Sequence, residues 1–135
     1  MEALEKMKIW LLSCPYLGAD VLHIEKIDAA PPSSGLYPKG MEIVSQKEDL
    51  LGNRMLLCRY TFVLRQVVPE NGVDAERLLQ LQNWVQRGEN APVFGDVPAR
   101  ERIWAENGKL ENASQVGTAV YAVTVKAEFI KEYKE

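Results

Sequence analysis

The chain is poor in the residues that build active sites. Histidine occurs once, as His23, and cysteine twice, as Cys14 and Cys58, in 135 residues. There is no CxxC, no HExxH and no GxSxG, so neither a zinc site nor a nucleophile elbow has its ligands or its turn. Two cysteines on different expected elements do not make a disulfide framework and are read as reduced, buried thiols. His23 falls inside an expected strand and reads as an ordinary strand histidine. "GLYPKG" (35–40) has glycines and a lysine, but it lacks the P-loop spacing and the strand-to-helix context that would cradle phosphate. The expectation is no catalytic residue, no metal and no cofactor.

An excess of positive charge is lacking too. Sixteen Lys and Arg stand against nineteen Asp and Glu, a net charge of −3, with a pI near 5.3. Tight nucleic-acid binding needs a basic footprint. Long apolar runs are also missing: nothing approaches the ~20 residues that cross a bilayer. The apolar stretch 9–12, after two Glu in the first eight residues, is short for a signal-peptide core. A protein made and kept in a cytoplasm, with no membrane partner, is expected. Composition is otherwise that of a globular protein, 47% hydrophobic and 26% charged, and the length fits a single domain over 1–135.

What is present is periodicity. In residues 2–13, Ala3, Leu4, Met7, Trp10 and Leu11 form one stripe, which predicts a helix that Pro15 terminates. A second helix is expected over 75–87, with Asp74 as N-cap, Leu78, Leu81 and Val85 on one stripe, and Gly88 at C′. Residues 54–68, "RMLLCRYTFVLRQVV", read as a strand of roughly 50 Å, far beyond the usual five or six residues. Its even positions (Leu56 to Leu64) are almost all apolar, whereas its odd positions mix Met55, Leu57, Arg59, Thr61, Val63 and Arg65. Residues 118–133 alternate cleanly, with odd positions apolar, as a half-covered antiparallel strand does. Shorter strands are expected over 20–28, 41–48 and 100–106. "LLGN" (50–53) is read as the turn into the long strand and Asn107-Gly108 as part of a later turn. Residues 29–40, with three prolines and two glycines, read as a long loop. The order α-β-β-β-α-β-β implies an α+β fold: a mainly antiparallel sheet with two helices packed on one face.

Three tryptophans fall on three elements. Trp10 belongs to the helix stripe and reads as core. Trp84 beside its stripe fits either core or contact surface. Trp104, between Arg102 and Glu106, fits core or an interface anchor, where aromatics are enriched.

Taken together, "MEALEKMKIWLLSCP", "GLYPKGMEIVSQKEDLLGN" leading into "CRYTFVLRQV", "LLQLQNWVQ" with "APVFGDVP", and "GKLENASQVGTAVYAVTVKAEFIKEY" run in an order that resembles a known family. It is that of small proteins from the structural-gene cluster of tailed phages and prophages of Gram-positive gut bacteria. In size and layout such proteins are similar to tail terminators and head–tail joining proteins. The resemblance implies a non-enzymatic virion protein, made in the bacterial host cytoplasm. It would close a homo-oligomeric ring, commonly a hexamer, that caps the tail tube, docks the head connector and lets DNA pass through its lumen. A tail tube subunit or minor capsid protein is the nearest alternative, and a small-ligand module or enzyme a further one.

A ring needs two unlike patches per subunit. The mixed strand face Arg59, Thr61, Val63 and Arg65, with Trp104, is the expected neighbour contact, and overhanging parts of the two long strands are expected to pair or pack across subunits. Val63→Asp with Arg65→Glu would then abolish assembly. Leu36, Tyr37 and Lys39 in the 29–40 loop, and Lys109 in the 107–117 excursion, are expected to make the axial contacts.

Overall fold

The structure, a computed structural model, describes residues 2–17, 22–25, 33–69, 75–112 and 118–134. In chain order these form α1 (Ala3–Leu12), β1 (His23–Ile24), β2 (Ser33–Glu48), β3 (Arg54–Pro69), α2 (Ala75–Arg87), a 3₁₀ turn (Pro98–Arg100), β4 (Arg102–Asn112) and β5 (Thr118–Tyr133). The five strands make one sheet in the order β1-β2-β3-β5-β4. Only the short β1–β2 pair is parallel; the other pairs are antiparallel. This is an α+β fold.

The helices form where their apolar stripes demand cover. Met7, Trp10 and Leu11 of α1 and Leu81 and Val85 of α2 are buried in one cluster with Leu56, Cys58, Phe62 and Leu64 of β3 and Val123, Val125, Ala127 and Phe129 of β5. Alternation decides which sheet residues join: strand neighbours point to opposite faces, so the even positions of β3 and odd positions of β5 reach the helices. Register agrees, with Cys58 opposite Phe129, Phe62 opposite Val125 and Leu64 opposite Val123. Each buried Leu, Val, Met or Phe among them is worth about 1.5–3 kcal/mol over its exposed state. Tyr60, Phe94 and Phe129 meet with ring centroids 4.7–6.0 Å apart. Both cysteines are buried free thiols, and burial raises the pKa of each. Gly88 ends α2 at φ +62°, with its N–H on the carbonyl of Val85.

Several expectations are corrected. Residues 33–40 are strand, not loop; 29–32 and the ends of the expected 20–28 strand lie outside the described residues. β2 tolerates Pro38 and Gly40 because they sit at a register shift between Pro38 and Met41, with Gly40 at φ +108°. A bulge is where a strand can hold a residue without an N–H donor, or one with a left-handed backbone. Asn107-Gly108 is not a turn: it lies within β4 at a second shift, between Glu106 and Lys109. Residues 113–117, where the β4–β5 connection falls, and Asp74 lie outside the described residues. The expected strand over 100–106 starts at Arg102, since 98–100 wind into the 3₁₀ turn.

The long strands do not leave their ladders open for a neighbour. β3 and β5 are each 16 residues long and pair with one another from Arg54–Tyr133 to Pro69–Thr118. Equal length satisfies each with the other inside the chain. Among the described residues the outer edges are those of β4 and of β2, and β1 pairs with β2 at Gly35 and Leu36.

Candidate functional site

The face of the sheet away from the helices carries a row of charges across four strands. Register sets Glu42 of β2 opposite Arg59 of β3, Arg59 opposite Glu128 of β5, and Glu128 opposite Arg102 of β4. The Arg59 guanidinium donates from Nη2 (2.6 Å) and Nε (3.1 Å) to Glu128 Oε2, and from Nη1 (3.1 Å) to Glu42 Oε1. Arg102 Nη1 stands 3.8 Å from Glu128 Oε1. Glu128 is only 8% exposed, and a carboxylate is held at such depth when it is paired. Its hydrogen bond to Arg59 is the main cause that raises the guanidinium's pKa further.

A second row stands beside the first. Lys126 Nζ lies 2.8 Å from Glu106 Oε1, and that bond is the main cause holding the Glu106 carboxyl below the usual range. Trp104 Nε1 donates to Glu106 Oε2 at 3.3 Å. The Trp104 ring has Arg59 at 5.5 Å and Arg102 at 5.0 Å from its centroid, within cation–π reach. Farther along, Arg65 lies 4.8 Å from the ring centroid of Tyr37, and Val63 is the register partner of Tyr37 and Thr124.

The residues singled out as neighbour contacts therefore share one face: Arg59, Thr61, Val63, Arg65 and Trp104 are all half-buried there. The axial-contact residues do not stay together. Leu36 is fully buried on the helix side of β2, so it makes no axial contact, because alternation that exposes Tyr37 turns its neighbour inward. Tyr37 belongs with Arg65, Lys39 is exposed at the bulge, and the side chain of Lys109 lies outside the described residues. Chemically the uncovered face balances Arg59, Arg102 and Lys126 against Glu42, Glu128 and Glu106. Among the described residues, no three His, Cys, Asp or Glu side chains gather as metal ligands would. No helix among them is long and apolar enough to cross a membrane.

A second feature escaped the sequence reading. The outer part of the β2–β3 hairpin is an arm: β2 is exposed from Met41 on, and the tip, residues 49–53, lies beyond the last β3–β5 pair, Arg54–Tyr133. Met41, Ile43 and Val44 are 53%, 53% and 41% exposed, and Leu50 and Leu51 at its tip 105% and 79%. The tip is structured. Asp49 Oδ1 accepts from the N–H groups of Leu51 (2.9 Å) and Asn53 (3.0 Å), and Oδ2 from Asn53 Nδ2 (2.9 Å). The Asn53 side-chain bond is the main cause holding the Asp49 carboxyl below its ordinary range. Gly52 completes the turn at φ +88°.

A third feature joins distant parts of the sequence. α1 and residues 90–93 bound an open groove of about 590 Å³, lined by Lys6, Ile9, Trp10, Pro92 and Val93 among others. Lys6 Nζ donates to the carbonyl of Val93 at 2.7 Å. Apolar spacing marked Trp10 and the exposed remainder of α1 separately, but nothing local marks residues 90–93 as their neighbours.

No family model matches the chain, and no curated protein matches it.

Proposed function

We propose that this chain is a structural subunit that works by assembling with copies of itself. The observation that carries the reading is the β2–β3 arm. A well-formed hairpin holds Leu50 and Leu51 almost wholly in water, on a turn with five internal hydrogen bonds from Asp49, Gly52 and Asn53. Isolated exposed hydrophobics are ordinary, but two adjacent leucines held in water on an ordered turn fit a contact surface.

Within that class, the particular reading is a tail terminator or head–tail joining protein of a tailed phage. It is carried by the resemblance of the chain to small phage structural proteins and by the α+β layout. In this reading the protein closes a ring, commonly a hexamer, on the end of the tail tube and presents a surface to the head connector. Its place is the virion. DNA crosses the lumen without being gripped, which suits an acidic chain with few counterion-releasing contacts. The balanced charges on the uncovered sheet face suit either a subunit contact or the lumen wall.

Light scattering on a sizing column, with negative-stain images of the peak, tests the reading. A closed ring is expected. Long tubes would turn the assignment to a tail tube subunit, and a monomer at every concentration would remove it.

A further inference from the structure

We propose that the arm of one copy seats Leu50 and Leu51 in the groove between α1 and residues 90–93 of a second copy. This rests on the reading of the chain as a self-assembling subunit, and it names the contact that reading requires.

The exposed apolar surface is divided in a way that fits two halves of one contact. Among the described residues, all large hydrophobics that are strongly exposed, Leu79 of α2 excepted, fall in two places. One is the arm, with Met41, Ile43, Val44, Leu50 and Leu51, and Tyr133 of β5 opposite Arg54 beside its tip; the other is the groove, with Ile9 at 50% and Val93 at 44%. A projection and a hollow on the same chain are unlike patches. Joined head to tail they make a heterologous contact, in which each subunit gives its arm to one neighbour and its groove to the other; closure of that rotation is a ring. Among the described residues nothing covers Leu50, which is wholly exposed, so the groove assigned to it is that of another copy.

Size and charge agree. About 590 Å³ lies within the ~300–1,000 Å³ of hollows that take small ligands, room for a pair of leucine side chains. Glu48 and Asp49 immediately precede Leu50, and Lys6 is the charged residue lining the groove. Its ammonium has three donors, and the Val93 carbonyl takes one, so it can also meet the Glu48 carboxylate of an incoming tip. Edge-to-edge strand addition fits less well. The outer edge of β2 carries Lys39 and Lys47 and two register shifts, and β4 has two shifts of its own with the Ala105 N–H taken by Gln86; such devices keep an edge from pairing with another.

Two full-length variants test the contact: Leu50→Asp with Leu51→Asp in the arm, and Ile9→Asp with Val93→Asp in the groove. All four positions are at least 44% exposed, and circular dichroism checks that each variant is folded. Where the wild type is assembled, each variant alone should be a monomer, its association weakened roughly a hundredfold or more. Mixed in equal amounts, they should form a one-to-one dimer, because the first keeps its groove and the second its arm. Should a variant fail to fold, Leu51→Cys and Val93→Cys proteins mixed under mild oxidation should give a disulfide-linked pair. Variants that assemble like the wild type would overturn the arm-in-groove contact while leaving the self-assembling subunit intact. Monomeric variants that do not pair on mixing, or cysteine variants that do not cross-link, would overturn it as well. A wild type that is monomeric throughout would overturn both.

Discussion

Trp10 of α1 and Trp84 of α2 stack with ring centroids 4.6 Å apart and planes 29° from parallel. Trp10 also donates from Nε1 to the carbonyl of Glu89 at 2.9 Å. Two helices that are far apart in sequence are thereby fastened over the same sheet face. Offset aromatic pairs add about 0.5–1.5 kcal/mol beyond the area they bury. Trp84→Ala should therefore lower unfolding stability by about 2–4 kcal/mol, somewhat below the range for a fully buried tryptophan. Urea unfolding followed by far-UV circular dichroism measures this. The near-UV signal of the stacked pair should vanish in the same variant, and a loss under 1 kcal/mol would mean that the rings do not hold the helices.

Gly95 lies against β5 at Ile130, just past the end of the β4–β5 pairing at Arg102–Glu128. A Cβ built there would sit 2.4 Å from the carbonyl oxygen of Ile130, which is backbone and does not swing aside. The next residue, Asp96, continues the contact: its N–H donates to that same oxygen at 2.7 Å, and its Oδ2 accepts the N–H of Glu132 at 2.8 Å. Gly95→Ala should force this segment off the strand and destabilise the fold by about 1–3 kcal/mol, the usual range for overpacking. Hydrogen exchange at the amides of Asp96 and Glu132 should rise with it. A fully stable Gly95→Ala protein would contradict the close approach.

The turn at the tip of the arm should be stable to acid below the ordinary carboxylate range. The Asp49 carboxyl is held low chiefly by the Asn53 side chain, with backbone N–H groups of Asn53, Leu51 and Gly52 adding to it. A carboxylate whose pKa is lower folded than unfolded stabilises the fold fully above its unfolded value, about 3.9 for Asp, and loses that contribution as pH falls through the folded value. The turn should accordingly keep its order at pH 5 and loosen only below about pH 4. An NMR titration of Asp49, with exchange at the Leu51 and Asn53 amides, follows this directly. Asn53→Ala should move the Asp49 midpoint upward; an unmoved midpoint would mean that the amide is not the cause.

Most elements were legible where the side-chain period was unbroken. Met7, Trp10 and Leu11 announce α1, Leu81 and Val85 announce α2, and the alternation of Val123, Val125, Ala127 and Phe129 announces β5. β2 was half hidden. Ser33, Ser34, Gly35, Pro38 and Gly40 have the composition of a loop, and only pairing with β3, with a bulge to absorb Pro38 and Gly40, makes them strand. That is why Leu36 was expected at the surface and is found in the core. The charge row was hidden for a different reason. Glu42, Arg59, Glu128 and Arg102 each look like a solvated residue until register brings them into line, and register is a property of strand pairs rather than of any one strand. The groove was hidden most fully, since Ile9 and Val93 are more than eighty positions apart and meet only through folding.

The mixed face of β3 and the arm make opposite forecasts for one variant. If Arg59, Thr61, Val63 and Arg65 met the neighbouring copy in the proposed assembly, Val63→Asp with Arg65→Glu would break that assembly. On that face, however, Arg59 already holds Glu42 and Glu128, and Arg65 covers Tyr37, so much of the binding capacity is taken up inside one chain. The exposed leucines of the arm have no such partners. Val63→Asp with Arg65→Glu should therefore remain assembled on a sizing column, while Leu50→Asp with Leu51→Asp falls apart. The Val63→Asp and Arg65→Glu protein should show its change elsewhere, as a modest loss of thermal stability from a charge set among half-buried neighbours. Loss of assembly in that protein, with its circular dichroism intact, would return the subunit contact to the face of the sheet.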